Sequence, residues 1–144
     1  MGSGKTTVGR IVADALLCPF LDLDEIIVKK AGRSIPDIFE AEGENGFRRL
    51  EKQALEKTVA KYAESTVVLA LGGGTVTIPG AVELLQQKTL CIYLQAPLET
   101  LEARLAGQKD GRPLAGEGLA ERLSARSTGM PRLTFSPSGI FPHI

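Results

Sequence analysis

Met1-Gly2-Ser3-Gly4-Lys5-Thr6-Thr7 opens the chain, and its G-K-T matches the second half of the phosphate-binding pattern G-x-x-x-x-G-K-[ST]. The glycines allow a tight turn whose backbone N–H groups can surround a phosphate. Lys5 adds a positive charge for the β- and γ-phosphates, and the Thr6 hydroxyl suits a Mg²⁺ ligand. Because the first glycine of the pattern would precede Met1, a flexible Gly/Ser terminus with a chance lysine is the alternative.

Composition and charge indicate one ordinary domain with a single core. The chain has 144 residues, and its 17 Lys and Arg balance 17 Asp and Glu, which argues against a nucleic-acid or anionic-membrane binder. No apolar stretch is long enough for a membrane span, and the start lacks a signal-peptide pattern. Cys18 and Cys91 lie in separate apolar runs, as expected for buried free thiols. We therefore predict a cytoplasmic protein.

Strand and helix patterns alternate along the chain. Continuous apolar runs predict buried strands at residues 20–24, 66–71 and 89–94. Helical spacing and cap residues predict helices at residues 8–17, 25–31, 35–41, 46–63, 80–87, 97–106 and 119–126. Gly32 is predicted to end the second of these helices, and Ser34 is predicted to cap the start of the third. This alternation is typical of an α/β fold with a parallel sheet.

Candidate ligand-binding residues follow the predicted strands, where parallel α/β sheets bind ligands. Alternation along the strand at residues 20–24 predicts that Asp22 and Asp24 face the same side. One carboxylate could hold Mg²⁺ together with Thr6, and the other could accept a proton from a substrate hydroxyl. The alternative is a pair of acids that cap the following helix.

Three further features suit anionic ligands. Gly72-Gly73-Gly74 lets the backbone approach a ligand closely, although a simple sharp turn is the alternative. Arg48 lies near the start of a long helix, where the dipole disfavours a cation unless an anion is near; a solvated surface arginine is the alternative. Arg112 lies in a glycine-rich segment at residues 107–118 that suits a mobile lid over a phosphoryl group, or an ordinary surface loop.

These motifs, in this order, resemble those of the shikimate kinases. The matching segments are G-S-G-K-T-T-V-G, F-L-D-L-D, R-S-I-P-D-I-F, G-F-R-R-L-E, L-G-G-G and R-P-L, within residues 1–126. The resemblance implies a three-layer P-loop fold of the nucleoside-monophosphate-kinase type. It also implies ATP-dependent, Mg²⁺-assisted phosphorylation of the 3-hydroxyl of shikimate, in aromatic amino-acid biosynthesis. We expect a monomer that binds ATP and shikimate.

The resemblance further implies roles for individual residues. The ATP-binding residues would be Gly2, Ser3, Gly4, Lys5, Thr6, Thr7, Arg104 and Arg112. The shikimate-binding residues would be Asp24, Ile35, Phe39, Phe47, Arg48, Gly73, Gly74 and Arg126. Thr6 and Asp22 would hold Mg²⁺, and the catalytic residues would be Lys5, Asp24 and Arg112.

Both ends of the chain depart from the family pattern. The central first strand of the family would precede Met1, which leaves its two neighbouring strands without a partner. We therefore expect an incomplete kinase domain at residues 1–126 and an atypical tail at residues 127–144, which is docked, disordered or the product of a reading-frame change. Two rival functions stay open: a related small-molecule kinase such as a gluconate kinase, and a non-catalytic nucleotide-binding fragment.

Overall fold

A computed structural model describes residues 3–94 of the chain. The elements within this range are α1 (Lys5–Ala15), β1 (Phe20–Asp22), α2 (Leu23–Ala31), α3 (Ile35–Lys61), β2 (Val68–Ala70), a 3₁₀ helix (Thr75–Thr77) and α4 (Ala81–Lys88). The helices predicted at residues 97–106 and 119–126, the predicted lid and the predicted tail lie outside the described residues. The α/β alternation is confirmed.

The two strands form a parallel pair with helices on both faces. The register pairs Phe20 with Val68, Leu21 with Leu69, and Asp22 with Ala70. Phe20 packs on α1, where a Cβ added to Gly9 would lie 2.6 Å from the ring atom Cε2. Leu69 points to the opposite face, because side chains alternate along a strand, and it packs against the core formed with α2, α3 and α4. The described residues thus confirm the predicted three-layer arrangement.

The hydrophobic core lies between the sheet and helices α2, α3 and α4. Its buried members are Leu23, Ile27, Ile38, Phe47, Ala54, Leu55, Ile78, Ala81 and Leu85. Each helix contributes its apolar face, and this burial is the main source of stability for such short elements. The core therefore fixes the start of α2 and the middle of α3, from which the polar residues of the site project.

Helix α3 contains the break that the sequence predicts. The two helices predicted at residues 35–41 and 46–63 follow each other within the range Ile35–Lys61 and are separated by a kink at Gly43, whose backbone is not helical. Gly43 has φ 67° and ψ −173°, a conformation that glycine adopts without a side-chain clash. Ser34 begins the helix as predicted, with a reciprocal capping box to Asp37. The predicted break is thus a kink.

The prediction of a strand at residues 89–94 is wrong. These residues contain no strand, and Leu90 and Ile92 are 81% and 64% exposed. Within residues 3–94, β2 pairs with β1 along one edge and with no strand along the other. An apolar run needs a neighbouring strand to satisfy its backbone groups, so the pattern alone does not make this segment a strand of the sheet.

The structure also bears on the predictions about membrane spans and about the two cysteines. Within residues 3–94, no helix combines the length and apolar character needed to cross a bilayer. Cys18 and Cys91 are free thiols as predicted, but they are only partly buried.

Candidate functional site

The phosphate-binding loop leads directly into α1. Gly4 caps the helix in a left-handed conformation, with φ 84° and ψ 17°. In this part of the described chain no side chain caps the helix start, so its first backbone N–H groups face outward. Lys5 Nζ donates to Ser3 Oγ at 3.4 Å, which holds the ammonium group near the loop. A positive helix terminus beside an ammonium group suits an anion. Gly2 lies outside the described residues.

Thr6 and Asp22 are brought together as the sequence predicts. The Thr6 hydroxyl donates to Asp22 Oδ2 at 3.3 Å, and strand alternation explains why Asp22 faces α1. Both side chains offer hard oxygen atoms, the donor type that Mg²⁺ prefers, so the pair fits this metal. Residues 3–94 contain no cluster of three or more His, Cys, Asp or Glu that could hold a metal. A Mg²⁺ ion would therefore take its other ligands from phosphate and water.

The prediction that Asp22 and Asp24 face the same side of one strand is wrong. Strand β1 ends at Asp22, whose Oδ1 accepts a hydrogen bond of 3.0 Å from the Asp24 backbone N–H. Asp24 therefore lies in the first turn of α2, where strand alternation no longer applies. The helix-capping alternative holds for Asp22. Asp24 instead approaches the glycine triplet, since a Cβ added to Gly72 would lie 3.1 Å from its Oδ1.

The glycine triplet brings the backbone against a cation. A Cβ added to Gly74 would overlap the guanidinium group of Arg48. Gly74 has φ −100° and ψ −6°, a conformation open to other residues. The close approach of Arg48 is therefore what favours glycine at this position, since a Cβ would displace the guanidinium group. The triplet joins the carboxyl end of β2 to the 3₁₀ helix, with Gly73 half-buried and Gly74 buried.

Arg48 is held by two carboxylates. Its Nη1 donates to Glu51 Oε2 at 2.6 Å and its Nη2 donates to Glu44 Oε1 at 3.1 Å. Burial opposes the charge of Arg48, but the hydrogen bonds and charges of Glu51 and Glu44 outweigh that effect and raise the pKa of Arg48. The surface alternative is wrong for Arg48, whose side chain is 22% exposed, and right for Arg49, at 67%.

Sequence reasoning missed two residues of this cluster. Glu51 is fully buried, and its Oε1 accepts a hydrogen bond of 2.5 Å from the Thr75 hydroxyl. A signal for Glu51 was available, because it shares a helical face with Phe47 and Leu55, and a charged residue on an apolar face needs a partner. Thr75 carried no comparable signal, since its contact with Glu51 joins residues 24 positions apart.

An aromatic pair lies next to Arg48. The rings of Phe39 and Phe47 are 4.8 Å apart between centroids, with a 32° angle between their planes. Arg48 Cζ lies 5.5 Å from the centroid of the Phe47 ring. Ile35 is partly buried against the same core. Of the remaining predicted residues, Thr7 is an exposed residue of α1, while Arg104, Arg112 and Arg126 lie outside the described residues.

The site as a whole lies at the carboxyl ends of two parallel strands, the usual ligand position of a nucleotide-binding α/β protein. Comparison with known proteins specifies the family. The shikimate kinase family model matches residues 1–132, and the chain belongs to the shikimate kinase family. The parallel α/β fold and the family predicted from the sequence are therefore both confirmed.

Individual relatives agree with the family match. A shikimate kinase of Synechococcus sp. (strain RCC307) is 47% identical over 124 residues, which are 85% of this chain and 62% of that protein. A shikimate kinase of Synechococcus elongatus is 44% identical over 125 residues, 87% of this chain and 64% of that protein. The chain thus spans less than two thirds of the length of these relatives. A solved structure, shikimate kinase from Acinetobacter baumannii in complex with shikimate, has TM-score 0.77 and 39% identity, and the match covers 89% of this chain and 70% of that one.

Proposed function

We propose that this chain transfers the γ-phosphoryl group of ATP to the 3-hydroxyl of shikimate, as a Mg²⁺-assisted kinase of aromatic amino-acid biosynthesis. The observation that carries the proposal is the geometry of Arg48. Its guanidinium is partly buried, oriented by two carboxylates and pressed against the Gly74 backbone, close to an aromatic pair. A fixed cation beside an apolar surface suits a ring that carries a carboxylate.

Recognition of shikimate would use residues from α2, α3 and the glycine triplet. Arg48 would bind the substrate carboxylate, together with backbone N–H groups of Gly73 and Gly74, and the aromatic pair would contact the ring. Asp24 approaches Gly72 from the start of α2 and would accept hydrogen bonds from the ring hydroxyls. The similarity to a shikimate kinase solved in complex with shikimate supports this assignment.

Binding of ATP would use the loop at the start of α1. The outward N–H groups of the helix start and the Lys5 ammonium group would contact the phosphates, with Ser3, Gly4 and Thr7 in the same loop. When Mg²⁺ is bound by Thr6 and Asp22, it would neutralise charge on the phosphate oxygens. The side chains of this loop then orient the triphosphate for in-line transfer.

The chemical step needs positioning and one proton acceptor. The 3-hydroxyl proton of shikimate would move to the Asp24 carboxylate as the hydroxyl oxygen forms a bond to the γ-phosphorus. The bond between that phosphorus and the bridging oxygen to the β-phosphate breaks, and ADP leaves. Lys5 would stabilise the charge that develops on the transferred group.

Several parts of the proposal concern residues outside the described range or the state of the protein in solution. We assign Arg112 to the phosphates, Arg126 to the shikimate carboxylate beside Arg48, and Arg104 to the vicinity of adenine. We also propose a cytoplasmic monomer whose partners are ATP and shikimate, with no role for nucleic acid or membranes. Size-exclusion chromatography with light scattering would check the monomer.

The test is ADP release by the purified 144-residue chain, measured with Mg²⁺–ATP alone, with shikimate and with gluconate. We expect release that depends on shikimate, together with formation of shikimate 3-phosphate by mass spectrometry. Release that depends on gluconate instead would favour the related kinase. ATP binding in calorimetry without release on either substrate would favour the non-catalytic fragment.

A pair of adjacent variants tests the role given to Arg48. Arg48→Met should raise the KM for shikimate by about 100-fold, because a charge-assisted bidentate contact is lost. The KM for ATP should change by less than about twofold, because the phosphates bind at the other end of the site. Arg49→Met is the matched control, since Arg49 is exposed and contacts Glu42. Equal KM values in the two variants would remove Arg48 from the site.

A further inference from the structure

Glu51 forms a bridge between α3 and the segment that follows the glycine triplet. One carboxylate oxygen accepts from Arg48 Nη1 at 2.6 Å, and the other accepts from the Thr75 hydroxyl at 2.5 Å. Glu51 and Thr75 are both fully buried. Because water cannot replace a lost donor at such a position, each contact constrains the orientation of the carboxylate.

The Thr75 hydroxyl has two acceptors within reach but only one proton to give. Glu51 Oε1 lies at 2.5 Å and the Gly72 carbonyl oxygen at 3.0 Å. The charged and nearer acceptor takes the stronger bond. The Gly72 carbonyl oxygen also accepts from the Thr75 backbone N–H at 3.2 Å, so it does not depend on the hydroxyl. The Thr75 hydroxyl therefore donates its hydrogen bond to Glu51.

These contacts form a closed ring that includes Arg48, the cation assigned to the substrate carboxylate. Thr75 contacts Glu51, Glu51 contacts Arg48, and the Arg48 guanidinium lies against Gly74, the residue before Thr75 in the chain. The stiff, β-branched side chain of Thr75 transmits the position of its own backbone to Glu51. A change at the hydroxyl would therefore alter where the guanidinium lies relative to the Gly74 backbone.

We propose that Thr75 is a positioning residue, whose hydroxyl orients the Glu51 carboxylate and, through it, the Arg48 guanidinium that receives the carboxylate of the substrate. This inference rests on the proposed function, since it assigns Arg48 to the shikimate carboxylate. Thr75 does not itself touch the substrate. Thr75 therefore affects the affinity for shikimate through its carboxylate and leaves the binding of the ATP phosphates unchanged.

The test compares variants of Thr75 in the ADP-release assay. Thr75→Val keeps the shape of the side chain and removes the hydroxyl, so we expect the KM for shikimate to rise about tenfold, with the KM for ATP changed by less than about twofold. Thr75→Ser restores the hydroxyl and should return the KM for shikimate to within about threefold of the parent. A purely structural role for Thr75 would lower the amount of active protein and leave both KM values unchanged.

Thr58→Val is the matched control for the loss of a buried hydroxyl. Thr58 lies on the same helix as Glu51, is 7% exposed, and donates to the Ala54 carbonyl oxygen at 2.7 Å. The Thr58→Val variant should have a lower melting temperature and unchanged KM values for shikimate and ATP. If Thr75→Val does not fold, Thr75→Ala removes the same hydroxyl with less bulk, and the same KM change is expected.

The outcomes separate this inference from the proposed function. If the parent chain releases ADP with shikimate and the Thr75 variants lacking the hydroxyl keep its KM, the inference alone is overturned. A Thr75→Val effect that adds fully to that of Glu51→Gln in the double variant would also overturn it, since a residue that acts through another gives non-additive effects. If the parent chain neither binds nor phosphorylates shikimate, the proposed function fails, and the inference fails with it.

Discussion

The candidate site has two sides that are held by contacts of different strength. On the phosphate side, defined as residues 3–7 with Asp22, the hydrogen bonds from Lys5 to Ser3 and from Thr6 to Asp22 are 3.4 and 3.3 Å long, and Thr6 is exposed. The carboxylate side, defined as Arg48, Glu51, Gly74 and Thr75, has contacts of 2.5 and 2.6 Å, and three of its four residues are buried.

This difference indicates how each side reaches its binding geometry. Short buried contacts fix the carboxylate side before a ligand arrives, which lowers the entropic cost of binding. The phosphate side has a fixed backbone and looser side chains, so the triphosphate and its metal ion would complete the arrangement. Changes on the phosphate side should therefore alter turnover with little effect on stability, whereas changes on the carboxylate side should alter both substrate affinity and stability.

The largest effect is expected at Lys5. Lys5→Ala removes a positive charge from the transferring phosphoryl group, and kcat should fall by about 100- to 1,000-fold. The melting temperature should change little, because Lys5 lies outside the hydrophobic core and substitutions away from the core usually have small effects on stability. Steady-state kinetics and a thermal melt on the same preparation measure both quantities.

Lys52→Ala is the matched control for Lys5→Ala, since Lys52 is an exposed lysine of α3. It should leave kcat and the melting temperature near the parent values. If Lys5→Ala kept the parent kcat, the loop would not act on the phosphates. If it unfolded the chain instead, the contrast between the two sides would be wrong.

A smaller effect is expected at Gly74. Gly74→Ala adds a Cβ that overlaps the Arg48 guanidinium, so the guanidinium must move. The KM for shikimate should rise about tenfold and the protein should lose about 1–3 kcal/mol of stability, as is usual for overpacking. Substrate titration and chemical denaturation would measure the two changes together.

Gly32→Ala separates crowding from backbone strain. Gly32 has φ 65° with open space around its Cα, and it ends α2 at the opposite end from Asp24. The alanine variant should lose about 1 kcal/mol through strain and keep the parent KM for shikimate. A KM change of equal size in both variants would mean that the effect at Gly74 reflects general destabilisation.

The local elements that the sequence predicts correctly have local signals. The helix that follows the G-K-T segment, the glycine at the end of α2 and the Ser34 cap each depend on neighbours within a few positions, and the structure contains all three. The apolar runs at β1 and β2 do form strands, because each of the two pairs with the other. The run at residues 89–94 is also apolar but has, within the described range, no strand beside it.

The residues that were missed depend on contacts between distant segments. The contact between Glu51 and Thr75 exists because the core holds α3 beside the 3₁₀ helix, and no local pattern specifies that distance. Asp24 was assigned to the strand, although it lies in the first turn of α2, because the strand ends two residues earlier than its apolar pattern suggests. The end of a strand is set by the cap of the following helix as well as by the strand's own residues.

The smallest effect is expected at Asp37, an exposed carboxylate at the start of α3 that belongs to neither side of the site. Asp37 closes the capping box, and its hydrogen bond with the Ser34 side chain is the main cause that lowers the pKa of Asp37 below its usual value of 3.8. A lowered pKa in the folded state stabilises the protein above the usual value, and this contribution is lost as the pH falls through the folded pKa. Asp37→Asn should therefore lower the melting temperature by about 2 °C at pH 7, and the difference should vanish well below pH 3.8.

Glu40→Gln, an exposed change on the same helix, should give no such pH-dependent difference. A difference for Asp37→Asn that persisted in acid would mean that Asp37 acts through its shape, with its charge irrelevant.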